Sequence, residues 1–279
     1  MADDSKPEPT AMTRDELLDA AESALEGNDP GTAYDACQAI LASNPKDGNA
    51  LYLLAEAMRD LGDGVRALDT YRRCVMVEPN FSPAWSGLGV LHLNGLEYDE
   101  AARALNRAIR EDVTNAEAWY GRAILRELRN DFAGADRDLA RAARLDPVGF
   151  PLPVNLDDET IDTIVSEAMA RLHPDLQDYL SNVALLLDEV PSPDVLGQYD
   201  PPAPPTHLLG YFNGYSLMER SLEDPWSRLP SAIVLFRRNL QRLASDRDQL
   251  IEELRITFYH EVGHFLGLSE ADLEARGLD

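Results

Sequence analysis

PNFSPAWSGLGVLHLNGLEYDEAARALNRAIRED, residues 79–112, is the stretch from which the fold can be read. Pro83 to Asn94 and Asp99 to Glu111 are two runs whose apolar and small residues recur three and four apart, the spacing of one helix face. Gly95 breaks the periodicity between them, so the segment predicts two helices joined by a short turn. Pro79 marks the start of the unit, because proline lacks an N–H and stops the helix before it.

Outward from this segment the same columns return every 34 residues. Ala33, Ala67, Ala101 and Ala135 form one, where a methyl group lets two helix backbones approach closely. Ile40, Cys74, Ala108 and Ala142 form a second column of mostly small residues, and Cys37, Tyr71, Leu105 and Leu139 a bulkier third. Leu17, Leu51, Trp85 and Trp119 fill the space between helices, and Pro45, Pro79, Val113 and Pro147 close the units. Four units follow, 11–44, 45–78, 79–112 and 113–146.

With Trp85, Leu88, Gly89, Ala101 and Ala108 at their offsets, residues 11–147 resemble the tetratricopeptide repeat. The resemblance implies an all-α superhelix of helix-turn-helix repeats with a concave face for a protein or peptide partner. Tyr52, Glu56, Ser86, Val90, Tyr120 and Ile124 stand on the first-helix faces, where chaperone-tail-binding members of the family carry a Lys/Asn clamp, so that ligand is not expected. Trp85 and Trp119 are expected in the core, and Cys37 and Cys74 as reduced packing residues.

Residues 148–157, with Pro151 and Pro153, read as a linker, and 158–279 as a second, small α+β domain. Asp157 and Asp158 can cap a helix that runs to about Leu172. Val183–Leu187 predicts a buried strand, and Leu208–Phe212 and Ile233–Phe236 two more. Between the first two lies 190–206, whose six prolines predict an exposed loop without a helix, either a flap over a site or a variable insertion. Ser245, with Asp248 three residues on, predicts the start of a last helix from Gln249 to about Leu266.

That helix carries His260-Glu-Val-Gly-His264-Phe-Leu-Gly267-Leu-Ser-Glu270. Residues four apart share a helix face, so His260 and His264 can bind one metal ion, and Glu261 can serve as general base toward a metal-activated water. Three protein ligands and an open position make a catalytic zinc site. The chain is expected to reverse at Gly267, bringing back Glu270 as third ligand, with Asp272 and Glu274 as rivals. Tyr259, Tyr211, Tyr215 and Arg238 are candidate oxyanion or substrate contacts. The strand Ile233–Phe236, or its neighbour, is a candidate edge for pairing with an extended peptide. His92, His173 and His207 show no ligand spacing and are expected at the surface or in loops.

Residues 155–279 resemble the bacterial minimal-zincin family through Asn182-Val-Ala-Leu-Leu-Leu with Asp188, Leu209-Gly-Tyr-Phe-Asn-Gly214, Ile233-Val-Leu-Phe-Arg-Arg238 and Phe258 to Glu270. That family follows HExxHxxGxx with Asp or Glu, which supports Glu270, and it implies a Zn2+-dependent metallopeptidase. An adaptor, in which the repeats act and the second domain is inactive or structural, is the alternative. The formal charge of −25 argues against nucleic-acid partners. The polar first ten residues are expected to be disordered, no apolar run approaches the ~20 residues of a membrane span, and a cytoplasmic location is expected.

Overall fold

The computed structural model describes residues 12–218 and 231–275, so the first ten residues lie outside the described part. Two compact units divide the chain: one runs to Leu93 and over Glu97–Leu125, the other takes Asn94–Leu96 and everything from Arg126.

Eight helices realise the 34-residue period: α1 Arg14–Glu26, α2 Pro30–Ser43, α3 Gly48–Asp60, α4 Gly64–Val77, α5 Ser82–Asn94, α6 Tyr98–Glu111, α7 Ala116–Leu128 and α8 Phe132–Leu145. The first helices start at 14, 48, 82 and 116, and the second at 30, 64, 98 and 132. Local chemistry sets these starts. Asp29, Asp63 and Asp131 each accept a backbone N–H at the beginning of a second helix, and Thr13 with Glu16 makes a capping box on α1. The turn inside each repeat needs a left-handed residue, supplied by Asn28, Gly62, Leu96 and Asn130. The break thus falls one residue beyond Gly95, on Leu96.

In the first unit Ala33, Ala67 and Ala101 are fully buried, as are Cys37, Tyr71 and Leu105. Trp85 is partly buried and donates its indole N–H to Pro79 O at 2.9 Å; Trp119 does the same to Val113 O at 2.9 Å. Each indole thereby ties a repeat to its own leading segment. Burial pushes the Cys37 and Cys74 thiols up to about 12, consistent with inert packing residues. His92 departs from expectation: it is buried, with Nδ1 against the Glu97 carboxylate.

Glu56, Ser86 and Ile124 are also buried rather than presented to a partner. Glu56 accepts from the Tyr71 hydroxyl and pairs with Arg59, which also reaches Glu117 at 3.4 Å. Ser86 Oγ donates to Glu117 at 2.6 Å. Burial pushes the Glu56 carboxyl up from 4.5 to about 7; Arg59 opposes this and Glu117 adds to it. Between those two values the folded chain holds a proton that the unfolded chain has released. The associated stability is therefore full below about 4.5 and is lost as pH rises through about 7. Glu56→Gln should remove this dependence. Thermal melts at pH 5 and pH 8 should show the variant gaining on the wild type by on the order of 2 kcal/mol at the higher pH. Equal losses for both proteins would refute the assignment.

In the second unit, α8 is joined by α9 Asp158–Ala170, α10 Pro174–Leu180, β1 Val183–Asp188, α11 Pro193–Leu196, β2 Gly210–Asn213, β3 Ser231–Phe236, α12 Arg237–Leu243, α13 Arg247–Leu266 and α14 Glu270–Glu274. The strands are ordered β1-β3-β2. β1 runs parallel to β3, with Leu185 opposite Ile233, and β2 runs antiparallel to it, with Phe212 opposite Ile233. Two expectations change. β3 is the central strand, so among the described residues the edges fall to its neighbours β1 and β2 and not to Ile233–Phe236 itself. β1 is not buried either: it is an edge strand among the described residues, and Leu185 and Leu186, on its two faces, are 39% and 46% exposed.

The core of this unit sets Ile161, Ile164, Val165 and Ala168 of α9 against Leu250, Leu254, Phe258, Val262 and Phe265 of α13, with Ile233 and Leu235 from the sheet. Asp157 caps α9. The cap of α13 is Asp246, which accepts from Gln249 N, while Ser245 instead donates to the Gln249 side chain. The proline-rich segment does contain one helical turn, α11. Ser192 caps it, and Pro193 sits in the first turn, where a missing N–H costs nothing.

Glu127 is 1% exposed and pairs with Arg238 at 3.0 Å and with Arg242. Arg238 also meets Asp136 at 2.8 Å and Glu189 at 3.1 Å. These pairs join α12 to the end of α7, to α8 and to the segment after β1. Among the described residues no helix is long and apolar enough to cross a membrane.

Candidate metal centre

His260 and His264 lie one turn apart on α13 and their Nε2 atoms converge to 3.0 Å. Glu270 reaches both, with carboxylate oxygens 3.5 Å from His260 Nε2 and 3.2 Å from His264 Nε2. Among the described residues these three form the one group of His, Cys, Asp and Glu placed to share a metal ion. The spacing suits zinc. Ligand atoms each ~2 Å from a tetrahedral ion stand about 3.3 Å apart, close to all three separations. His264 Nδ1 donates to Leu268 O at 3.3 Å, which leaves its Nε2 lone pair free to ligate.

Glu270 returns to the histidines for two local reasons. Gly267 caps α13 at φ 88°, a left-handed conformation that reverses the chain at little cost. Gly263, between the histidines, leaves room for Leu273: a Cβ there would come 2.2 Å from Leu273 Cδ2. Leu273 is fully buried and holds α14 against α13. Asp272 is used differently. Its carboxylate accepts from Ser269 N at 3.1 Å and Ser269 Oγ at 2.6 Å, completing the capping box of α14.

Glu261 is 4% exposed and faces β2, where a Cβ on Gly210 would lie 3.1 Å from its Cγ. The Phe212 backbone N–H donates to its carboxylate, yet Oε2 has no hydrogen-bond partner among the described residues. Burial, then the Glu270 charge, push this carboxyl up to about 8, against the pull of the Phe212 amide. A buried, incompletely satisfied carboxylate beside three convergent donors is the kind of orphaned group that a bound cation and its water would satisfy.

The expected oxyanion contacts separate. Tyr259 donates its hydroxyl to Ala168 O at 3.2 Å, tying α13 to α9. Arg238 is taken up by Glu127, Asp136 and Glu189. Tyr215 is 38% exposed beyond β2. Tyr211 lies on β2 next to Gly210, and the proline-rich segment brings in a phenol the sequence did not single out, Tyr199. Partial burial and then the charges of Glu261, Glu270 and Tyr211 hold the Tyr199 phenol above the ordinary tyrosine value. The charges of Glu261 and Glu270 thus reach Tyr199 in the proline-rich segment. Its lone aromatic ring just ahead of Pro201 and Pro202 was the available signal.

The family model of the zincin-like metallopeptidases matches residues 180–278, and two models of the tetratricopeptide repeat match 24–91 and 86–149. The chain is a tetratricopeptide-repeat array followed by a zincin-like metallopeptidase domain. Within the zincin-like match lie all three convergent donors and Glu261. The repeat array indicates protein or peptide interaction. Anaphase-promoting complex subunit 3 of Schizosaccharomyces pombe (strain 972 / ATCC 24843) is 30% identical over 109 residues, covering 38% of this chain and 16% of that protein. The chain thus spans about one-sixth of the length of this curated relative. Among solved structures, YrrB, described as a TPR protein with an unusual peptide-binding site, is similar at 20% identity and a TM-score of 0.40, covering 49% of this chain and 70% of that one. The thermophilic TPR protein TTC0263 from Thermus thermophilus is similar at 18% identity and a TM-score of 0.43, covering 57% of this chain and 82% of that one.

Proposed function

We propose that the chain is a zinc-dependent peptidase whose repeats recruit a protein partner or substrate. The observation that carries this reading is the convergence of His260, His264 and Glu270 beside the buried, partly unsatisfied Glu261. His260, His264 and Glu270 would hold the ion, with Asp272 kept to its capping role. Zinc, when bound in such a site, supplies a water acidic enough to ionise near neutrality and a Lewis acid for a carbonyl. Glu261 takes the proton from the attacking water and delivers it to the leaving amine. A structural zinc site, closed by four protein ligands, has no use for a base in that place.

The edge strand β2 supports the same reading. It lies beside Glu261, and among the described residues only β3 pairs with it, so an extended peptide can pair along its outer edge while its carbonyl meets the site. Tyr199 and Tyr211 are the phenols available to steady a developing oxyanion. The test is metal content followed by hydrolysis of a peptide library by the full chain. About one zinc per chain and cleavage at defined bonds are expected. Bound zinc without cleavage of any peptide would favour the adaptor, in which the repeats do the work.

A further inference from the structure

A cavity of about 210 Å3 opens beside His260 and Glu261. That exceeds the ~150 Å3 that takes up a benzene ring, so it has room for a long side chain. One wall is a stripe of α13. Glu253, Ile256, Thr257, His260 and Glu261 are spaced by three and four, which keeps them on one face. The opposite wall is the approach to β2, with Leu208 and Leu209 and the exposed ring of His207. Leu208, Leu209 and Ile256 make the stretch between the histidine end and Glu253 largely apolar.

Glu253 is the unusual member. It is partly buried, and no hydrogen bond or ion pair engages it among the described residues. Its neighbour Glu252 pairs with Arg255, which reaches on to Glu167. Seven residues separate Glu253 from His260, about 10 Å along a helix. A side chain that enters next to the histidines meets apolar walls first and an uncompensated carboxylate at the far end. An aliphatic side chain would leave that carboxylate without a partner, and an acidic one would face Glu253 and Glu261 together. A long stem ending in a cation satisfies both parts of the cavity.

We infer that this cavity is the subsite for the substrate side chain next to the scissile bond and that it selects arginine or lysine through Glu253. The inference rests on the peptidase reading above and names its substrate class. Zinc-loaded full-length chain should cleave a peptide library with a basic residue enriched at one position flanking the broken bond. Glu253→Gln should lower the ratio of kcat/KM for arginine over norleucine substrates about ten- to a hundredfold, the range for losing a charge-assisted hydrogen bond, and Glu253→Asp should restore part of it. Cleavage without basic preference, or a preference that survives Glu253→Gln, would overturn the subsite and leave the peptidase standing. Binding separates the two claims when nothing is cleaved. Blocked hexapeptides with central arginine or norleucine are titrated calorimetrically into the full-length Glu261→Gln chain, with and without zinc. Tighter binding of the arginine peptide, lost in the Glu253→Gln/Glu261→Gln double variant, supports the subsite. Equal binding of the two peptides overturns it.

Discussion

His264→Ala is expected to take zinc from about one ion per chain to none at micromolar metal. Three protein donors are a minimum for holding zinc with an open position, and this substitution leaves two. Outer-shell partners of a metal ligand are already worth 10–100-fold in affinity, so loss of a ligand itself should exceed hundredfold. The effect should be separable from misfolding. His264 is only partly buried and lies outside the core stripe Leu250, Leu254, Phe258, Val262 and Phe265, so the helix and that stripe should survive loss of its one 3.3 Å bond to Leu268 O. Metal analysis of chain purified without chelator or histidine tag, beside circular dichroism, reads both. Asp272→Asn is the informative control, since that side chain serves Ser269. Zinc retained by His264→Ala, or lost by Asp272→Asn with the fold intact, would remove the proposed donor set.

The parts of this molecule visible in the sequence are those governed by local spacing. Helix starts repeat every 34 residues because the capping aspartates and the alanine column do. His260, His264 and Glu270 come together through one helical turn and one left-handed glycine, both written within eleven residues. The turn at Leu96 was harder to place. Three members of its column, Asn28, Gly62 and Asn130, are residue types that tolerate a left-handed backbone, and leucine conceals the fourth. Strand order was not legible for a different reason. Three short apolar runs look alike, and only pairing makes Ile233–Phe236 central and leaves Val183–Asp188 at an edge. Arg238 looked available for catalysis because its partner Glu127 lies 111 residues earlier, beyond any spacing rule. Tyr199 was hidden because a proline-rich segment has no periodicity from which to tell which side chain turns toward the site.

Glu261→Gln is expected to lower peptide hydrolysis by about 10²–10⁴-fold, the usual worth of a positioned general base, while zinc content stays at that of the wild type. The structure supplies the reasons for both halves. Glu261 is not among the three convergent donors, so its removal leaves the metal's partners in place. It is held between α13 and β2 by the Phe212 N–H, a bond that an amide oxygen can accept in turn, so glutamine should keep the same position. Glutamine is also uncharged, and a site that raises a buried carboxyl to about 8 has no reason to reject it. Beside a bound dication Glu261 is drawn back toward its ionised form, the form a base requires. What glutamine lacks is that ability to take up the proton of the attacking water. Single-turnover rates with zinc quantified in the same samples are the measurement. Undiminished hydrolysis at full zinc would move the base elsewhere, and Tyr199, whose phenol senses the Glu261 charge, would be the group to vary next. Loss of zinc together with activity would instead show that Glu261 supports the metal's partners, and would leave its role as base without support.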